Sequence, residues 1–204
     1  MVRYLTPLLA AALCLGTLPA LAQDSTDSTA SETPSQTADS GLDLGQPVND
    51  APQNGERYLK ETIGDWSLAC IKTDLETDPC SIMQILNDKS GNSVAEISLF
   101  RLEGAGQAVA AATVIVPLET LLPAQLTIAV DGNKGKRYNY NFCNPVGCYA
   151  QIGLTADDIA AFKKGSVAKI SLVPAPAPDQ VVELEMSLAG FTAGYDLVDV
   201  VSNN

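Results

Sequence analysis

The chain reads as an all-β protein, a β-sandwich of about eight or nine short strands with one small helix and two locally closed disulfides. Three observations point there. Apolar residues between Trp66 and Leu188 recur mostly with period two rather than 3.6. Turns containing Gly, Pro or Asn cut these runs into short segments. Cysteines lie in two near pairs, Cys70 with Cys80 and Cys143 with Cys148, behind a leader that takes the fifth, Cys14.

The leader comes first. Arg3 supplies a positive start, Leu5 to Leu18 is almost wholly apolar, and Ala20-Leu21-Ala22 is a small-x-small cleavage site. Residues 1–22 are therefore expected to be a signal peptide, cleaved before Gln23. The apolar run is too short, and broken too early by Pro7, for a membrane span. Loss of Cys14 leaves an even number of cysteines, as full pairing in an oxidising compartment requires. Four cysteines allow three pairings, and the two local ones cost least in loop closure.

Residues 23–57 are rich in Ser, Thr, Asp, Pro and Gly and carry seven acids: Asp24, Asp27, Glu32, Asp39, Asp43, Asp50 and Glu56. No aromatic residue occurs there, so little apolar surface is available to offset ordering entropy. A disordered acidic linker is expected, reaching on the order of 30 Å.

Residues 58–204 are long enough for a domain with a real core. Trp66, Leu68 and Cys70 alternate in the first expected strand, and Ile82 to Leu86 and Ala95 to Leu99 follow. Val109 to Val116 is an almost wholly apolar run, which suits a buried strand. Leu126 to Val130 runs into Asp131-Gly132-Asn133-Lys134-Gly135, a strong turn signal, and Tyr138, Tyr140 and Phe142 alternate on the return. Tyr149 to Leu154, Val167 to Val173 and Val181 to Leu188 complete the strands. Between them, Thr155 is a good N-cap, Asp157 and Asp158 sit in the first turn, Lys163 and Lys164 in the last, and Gly165 follows. That pattern predicts a helix, and a second short helical segment is expected after Gly190.

The composition narrows the chemistry. There is no histidine, and 24 acids face 12 bases for a net charge of −12. Nucleophiles that need an imidazole base are excluded, as are zinc sites with histidine ligands. The cysteine gaps differ from zinc knuckles, and four residues separate Cys143 from Cys148 where redox dithiols have two. No metal, cofactor or catalytic residue is expected, and paired acids at a helix start do not make Asp157 and Asp158 a hydrolase. The acidity opposes nucleic-acid binding. Lys134, Lys136 and Arg137 form the one dense basic cluster, and Tyr149 flanks the disulfide turn. These four residues are the candidate partner contacts. Pro145 and Gly147 are read as preshaping that turn, Gly147 through access to the left-handed region.

Several motifs, in order, have a family look. They are Gly64-Asp65-Trp66, Leu121-Leu122-Pro123, Asp131-Gly132, Tyr140-Asn141-Phe142-Cys143-Asn144-Pro145-Val146-Gly147-Cys148 and Ser187-Leu188-Ala189-Gly190-Phe191-Thr192-Ala193. The sequence from about Ile63 to Val198 resembles the invasion-associated locus B family of exported proteobacterial proteins. That resemblance implies an immunoglobulin-like β-sandwich in the periplasm or at the bacterial surface, with no catalytic motif to carry over. The functional expectation is an exported, non-enzymatic binding or accessory protein whose partner is another envelope or host-surface protein. Two alternatives stand beside it: a structural or chaperone-like protein that pairs through an edge strand, and a histidine-free hydrolase.

Overall fold

The computed structural model describes residues 51–202. The expected signal peptide and most of the expected acidic linker lie outside the described residues. Twelve strands and two α-helices are present in the order β1 Arg57–Ile63, β2 Trp66–Ile71, β3 Cys80–Asn87, β4 Ser93–Glu103, β5 Ala108–Val116, β6 Leu126–Val130, β7 Lys136–Tyr138, β8 Phe142–Asn144, β9 Gly147–Thr155, α1 Ala156–Lys164, β10 Val167–Leu172, β11 Val182–Ser187, α2 Phe191–Leu197 and β12 Val200–Ser202. The expected all-β, two-sheet architecture is the one adopted.

The larger sheet runs β1-β2-β3-β4-β5-β9-β8, and β12 adds in parallel to β4. Its first five strands are a meander. The smaller sheet runs β11-β10-β6-β7. Core-facing residues of both sheets join one apolar cluster, including Leu86, Ile97, Leu99 and Val114 from the larger and Leu126, Ile170, Leu184 and Met186 from the smaller. Alternation decides which residues enter it. Along β5, Ala110, Ala112, Val114 and Val116 are buried while Val109, Ala111, Thr113 and Ile115 are only half-buried. The mostly apolar β5 is therefore fully buried on one face only.

The strand count exceeds expectation for three reasons. β1 and β12 are added at the two ends of the folded region. The expected single strand over Tyr138 to Phe142 is two strands in different sheets. β7 pairs with β6, the chain crosses at 139–141, and β8 pairs with β9. Side-chain hydrogen bonds brace the crossing: Gln125 Nε2 donates to Asn139 Oδ1 at 2.8 Å, and the Gln151 N–H donates to Asn141 Oδ1 at 2.7 Å. Tyr138 and Tyr140 both pack against the core.

Both disulfides form as expected, Cys70–Cys80 and Cys143–Cys148. Each joins directly opposed residues of neighbouring antiparallel strands, with Cα atoms 4.0 Å apart. A bridge so placed fixes the register of its hairpin, and slippage by one residue would turn every side chain to the wrong face.

Helix α1 begins with the expected cap. Thr155 Oγ1 accepts from the Asp158 N–H, and Asp158 Oδ2 accepts from the Thr155 N–H at 3.0 Å. Ile159 and Phe162 are its buried face. Helix α2 follows its cap residue Gly190 and places Phe191 in the core against Trp66, with ring centroids 5.5 Å apart. Phe162 and Tyr195 flank Phe191 at 5.4 and 5.8 Å.

Two motifs distant in sequence meet here. Trp66 Nε1 donates to the Ser187 carbonyl at 2.9 Å, Ser187 Oγ donates to Asp65 Oδ2, and the Asp65 N–H donates to the Ala189 carbonyl. Gln84 sits between them, donating to the Asp65 and Ser187 carbonyls and accepting from the Ser187 N–H. Gly64 and Gly190 both have positive φ, 59° and 88°, and a side chain at either would strike the other's loop. The Gly-Asp-Trp and Ser-Leu-Ala-Gly-Phe motifs therefore form one structural joint.

Candidate binding surface

Tyr149 is placed by the alternation of β9, which turns Cys148, Ala150, Ile152 and Leu154 inward and Tyr149 outward. Its direct cross-strand neighbours are Ile115 on β5 and Phe142 on β8. Ile115 in turn opposes Glu96 on β4, which opposes Ile85 on β3. One row of side chains, Ile85, Glu96, Ile115, Tyr149 and Phe142, thus crosses five strands on the outer face. Phe142 and Tyr149 stack with centroids 4.7 Å apart and an interplanar angle of 13°. Phe142 is 48% exposed and Ile85 43%.

The β8–β9 turn extends this row. Asn144 Oδ1 accepts from the N–H groups of Val146 and Gly147, and Asn144 Nδ2 donates to the Tyr149 hydroxyl at 3.2 Å. Val146, 74% exposed, stands at the tip and borders a shallow groove with Ile85, Val94 and Ile115. The charge in the row is paired: Arg57 donates to both Glu96 oxygens, at 2.6 and 3.2 Å. That hydrogen bonding raises Arg57 above its ordinary pKa, against the opposing pull of partial burial.

Gly147 has a different reason from the one expected. Its φ is not positive, but a Cβ there would lie 2.5 Å from the Val116 carbonyl oxygen. Glycine is required because β5 passes close by. In the β6–β7 turn positive φ does occur, at Asp131 (47°) and Gly132 (74°).

The basic cluster lies elsewhere. Lys134 precedes β7, and Lys136 and Arg137 belong to it, all on the smaller sheet, whereas Tyr149 is on the larger. The four expected contact residues therefore form two groups. Lys136 Nζ pairs with Asp158 Oδ1 at 2.6 Å. Among the described residues, no ion pair engages Lys134 or Arg137. The Asp131 carboxylate pins their turn to the start of β10 by accepting from the Ser166 and Val167 N–H groups. Partial burial pushes Asp158 up, but hydrogen bonds from Lys136 and Thr155 outweigh it, and the carboxyl ends below its ordinary value. Asp158 is thus committed to the helix cap and to Lys136. Burial, reinforced by the Asp158 charge, raises Tyr138 to about 12, and burial alone raises Tyr140 to about 12.

Sequence reasoning did not identify Ile85, Val94, Ile115 and Val146 as parts of a surface. Their grouping depends on register between strands, and no local pattern encodes it. Of this row, only Tyr149 was among the contact residues expected from sequence, because it flanks the disulfide turn.

Known proteins resemble this chain in sequence and in fold. The family model described as invasion associated locus B (IalB) protein matches residues 66–199. Two invasion protein B homologs of Brucella abortus, from strain 2308 and from biovar 1 strain 9-941, are each 24% identical over 148 residues, covering 72% of this chain and 83% of theirs. The crystal structure of invasion associated protein B from Bartonella henselae superposes with a TM-score of 0.56 at 25% identity, covering 67% of this chain and 93% of that one. The family match spans well over half of the sequence, from the Trp66 joint through the disulfide hairpin to the end of α2, and the chain belongs to the invasion-associated locus B family.

Proposed function

We propose that this protein is an exported, non-enzymatic binding protein of the cell envelope, which contacts another envelope or host-surface protein through the outer face around Tyr149. The observation that carries this reading is the row Ile85–Glu96–Ile115–Tyr149–Phe142 with Val146 at its tip. Stacked aromatic rings on a rigid, disulfide-closed hairpin give contact area at little entropic cost on binding. The relatives' names, invasion protein B homolog and invasion associated protein b, support a surface role. The leader expected over residues 1–22 supports export.

The edge-strand alternative has less support. β7 and β8 are three residues each, β1 carries a bulge between Leu59 and Glu61 beside charged Lys60, and β11 presents Glu183 and Glu185 outward. These features blunt an edge against further pairing.

Site-specific photo-crosslinking from position 146 in living cells, with fractionation, tests the proposal. A discrete crosslinked partner in the envelope fraction, lost in Tyr149→Ala, is the expected result. Absence of any crosslink, or one unchanged by Tyr149→Ala, overturns the site.

A further inference from the structure

A second site lies apart from that face, between the β6–β7 hairpin and α1. A cavity of about 130 Å³ opens there. Its floor is apolar: Ile128, Leu154 and Phe162 are core residues, and Val130 joins them. Its rim is polar, carrying Lys134, Lys136, Tyr138 and Asp158. We propose that this cavity binds a small amphipathic monocarboxylate, with its body on the Ile128–Leu154–Phe162 floor and its carboxylate at Lys134 and the Tyr138 hydroxyl.

Size, charge and construction each argue for that class. A dry cavity of about 150 Å³ is known to accept benzene, so a body of roughly six carbons fits. Two lysines and one carboxylate leave the rim with an excess positive charge, in a chain whose net charge is −12. Asp158 does not repel an incoming anion strongly, because Lys136 and the Thr155 cap already hold it. Lys134 has no carboxylate partner among the described residues, and the Asp131 contacts fix the turn that carries it. A neutral phenol at Tyr138, raised to about 12, is a donor to an anion at any physiological pH. A long acyl chain would extend beyond the cavity, and the two lysines disfavour a cation.

The site is independent of the partner-binding face, and its test does not involve a partner. The mature protein, with methyl groups labelled, is titrated by NMR with benzoate and separately with benzyl alcohol, a neutral compound of the same shape. Saturable shifts of the Ile128, Val130 and Leu154 methyl signals are expected, with a dissociation constant in the millimolar range for so small a ligand. Benzoate is expected to bind about threefold to fivefold more tightly than the alcohol, the increment of one exposed charge pair. Lys134→Gln, at an exposed position in a turn, should erase that preference and leave alcohol binding unchanged. No saturable shift at these methyls up to about 20 mM benzoate overturns the site. Equal affinity for the two probes, or a preference that survives Lys134→Gln, overturns the assignment of the carboxylate.

Discussion

Asp78 shows how one side chain organises the loop closed by Cys70–Cys80. Its Oδ1 accepts from the Thr73 N–H at 2.8 Å and from the Thr73 hydroxyl, and its Oδ2 accepts from the Tyr58 hydroxyl at 2.8 Å and from Lys72 Nζ. The Thr73 backbone bond is the largest influence and the Tyr58 hydroxyl the next; the carboxyl falls from 3.8 to about 2. The same contact raises Tyr58. A depressed carboxyl pKa stabilises the fold above the unfolded value and stops doing so as pH falls through the folded value. This contribution is therefore complete above about pH 4 to 5 and disappears toward pH 2. Urea midpoints measured across that range should fall for the native protein. In Asp78→Asn the midpoint should be lower at pH 7 and decline less steeply in acid. Parallel curves would mean that Asp78 has no such role. Gln84 makes a complementary point about legibility. In sequence it is a polar residue in an otherwise apolar alternation, and nothing local distinguishes it from a solvent-facing position. Its reason is the Asp65–Ser187 joint, whose halves lie far apart along the chain.

Elements were legible where burial was one-sided and local chemistry explicit. Helix α1 announced itself through Thr155, its acidic first turn and Gly165, and β2 through Trp66, Leu68 and Cys70. β1 and β12 did not, because Leu59 is 65% exposed and Val200 and Val201 are both exposed. Backbone pairing holds β12, and β1 adds only Tyr58 and Ile63 packed at the core's margin, so neither strand shows a sustained apolar alternation. The switch between β7 and β8 was hidden for another reason. Tyr138 and Tyr140 both pack inward, so period two continues through a change of sheet. The disulfide hairpins allow a quantitative comparison. Chain entropy gives about 3 kcal/mol for Cys70–Cys80 and about 2 kcal/mol for Cys143–Cys148. Replacing both cysteines of one pair by Ser should lower the unfolding free energy by those amounts, with a somewhat steeper denaturant slope because the uncrosslinked unfolded chain exposes more surface. A larger loss at Cys143–Cys148 would show that the bridge also holds β8 onto the sheet, beyond closing its loop.

At the scale of the whole molecule, the aromatic cluster around Phe191 decides whether the two sheets and two helices unfold as one. Phe191 is fully buried and lies edge-on to Trp66 of β2 and Phe162 of α1, with Tyr195 of α2 beside it. Beyond α2, Arg101 donates to the Val198 carbonyl, and the Cys80 N–H donates to the Asp199 carboxylate at 2.6 Å, which ties the C-terminal segment to β4 and β3. Deleting the Phe191 ring removes contacts to β2 and α1 and one within α2 at once. Phe191→Ala should therefore cost about 3–5 kcal/mol, a large part of the roughly 5–15 kcal/mol typical of a domain. The loss should be global, since Trp66 is both the neighbour of Phe191 and the sole tryptophan of the chain. Trp66 fluorescence and far-ultraviolet circular dichroism should then report coincident transitions in the native protein, and a shifted but still coincident pair in the variant. If the fluorescence transition alone moves, the cluster stabilises only its own corner, and the sheets are held together by the remaining core around Leu99, Leu126 and Leu184.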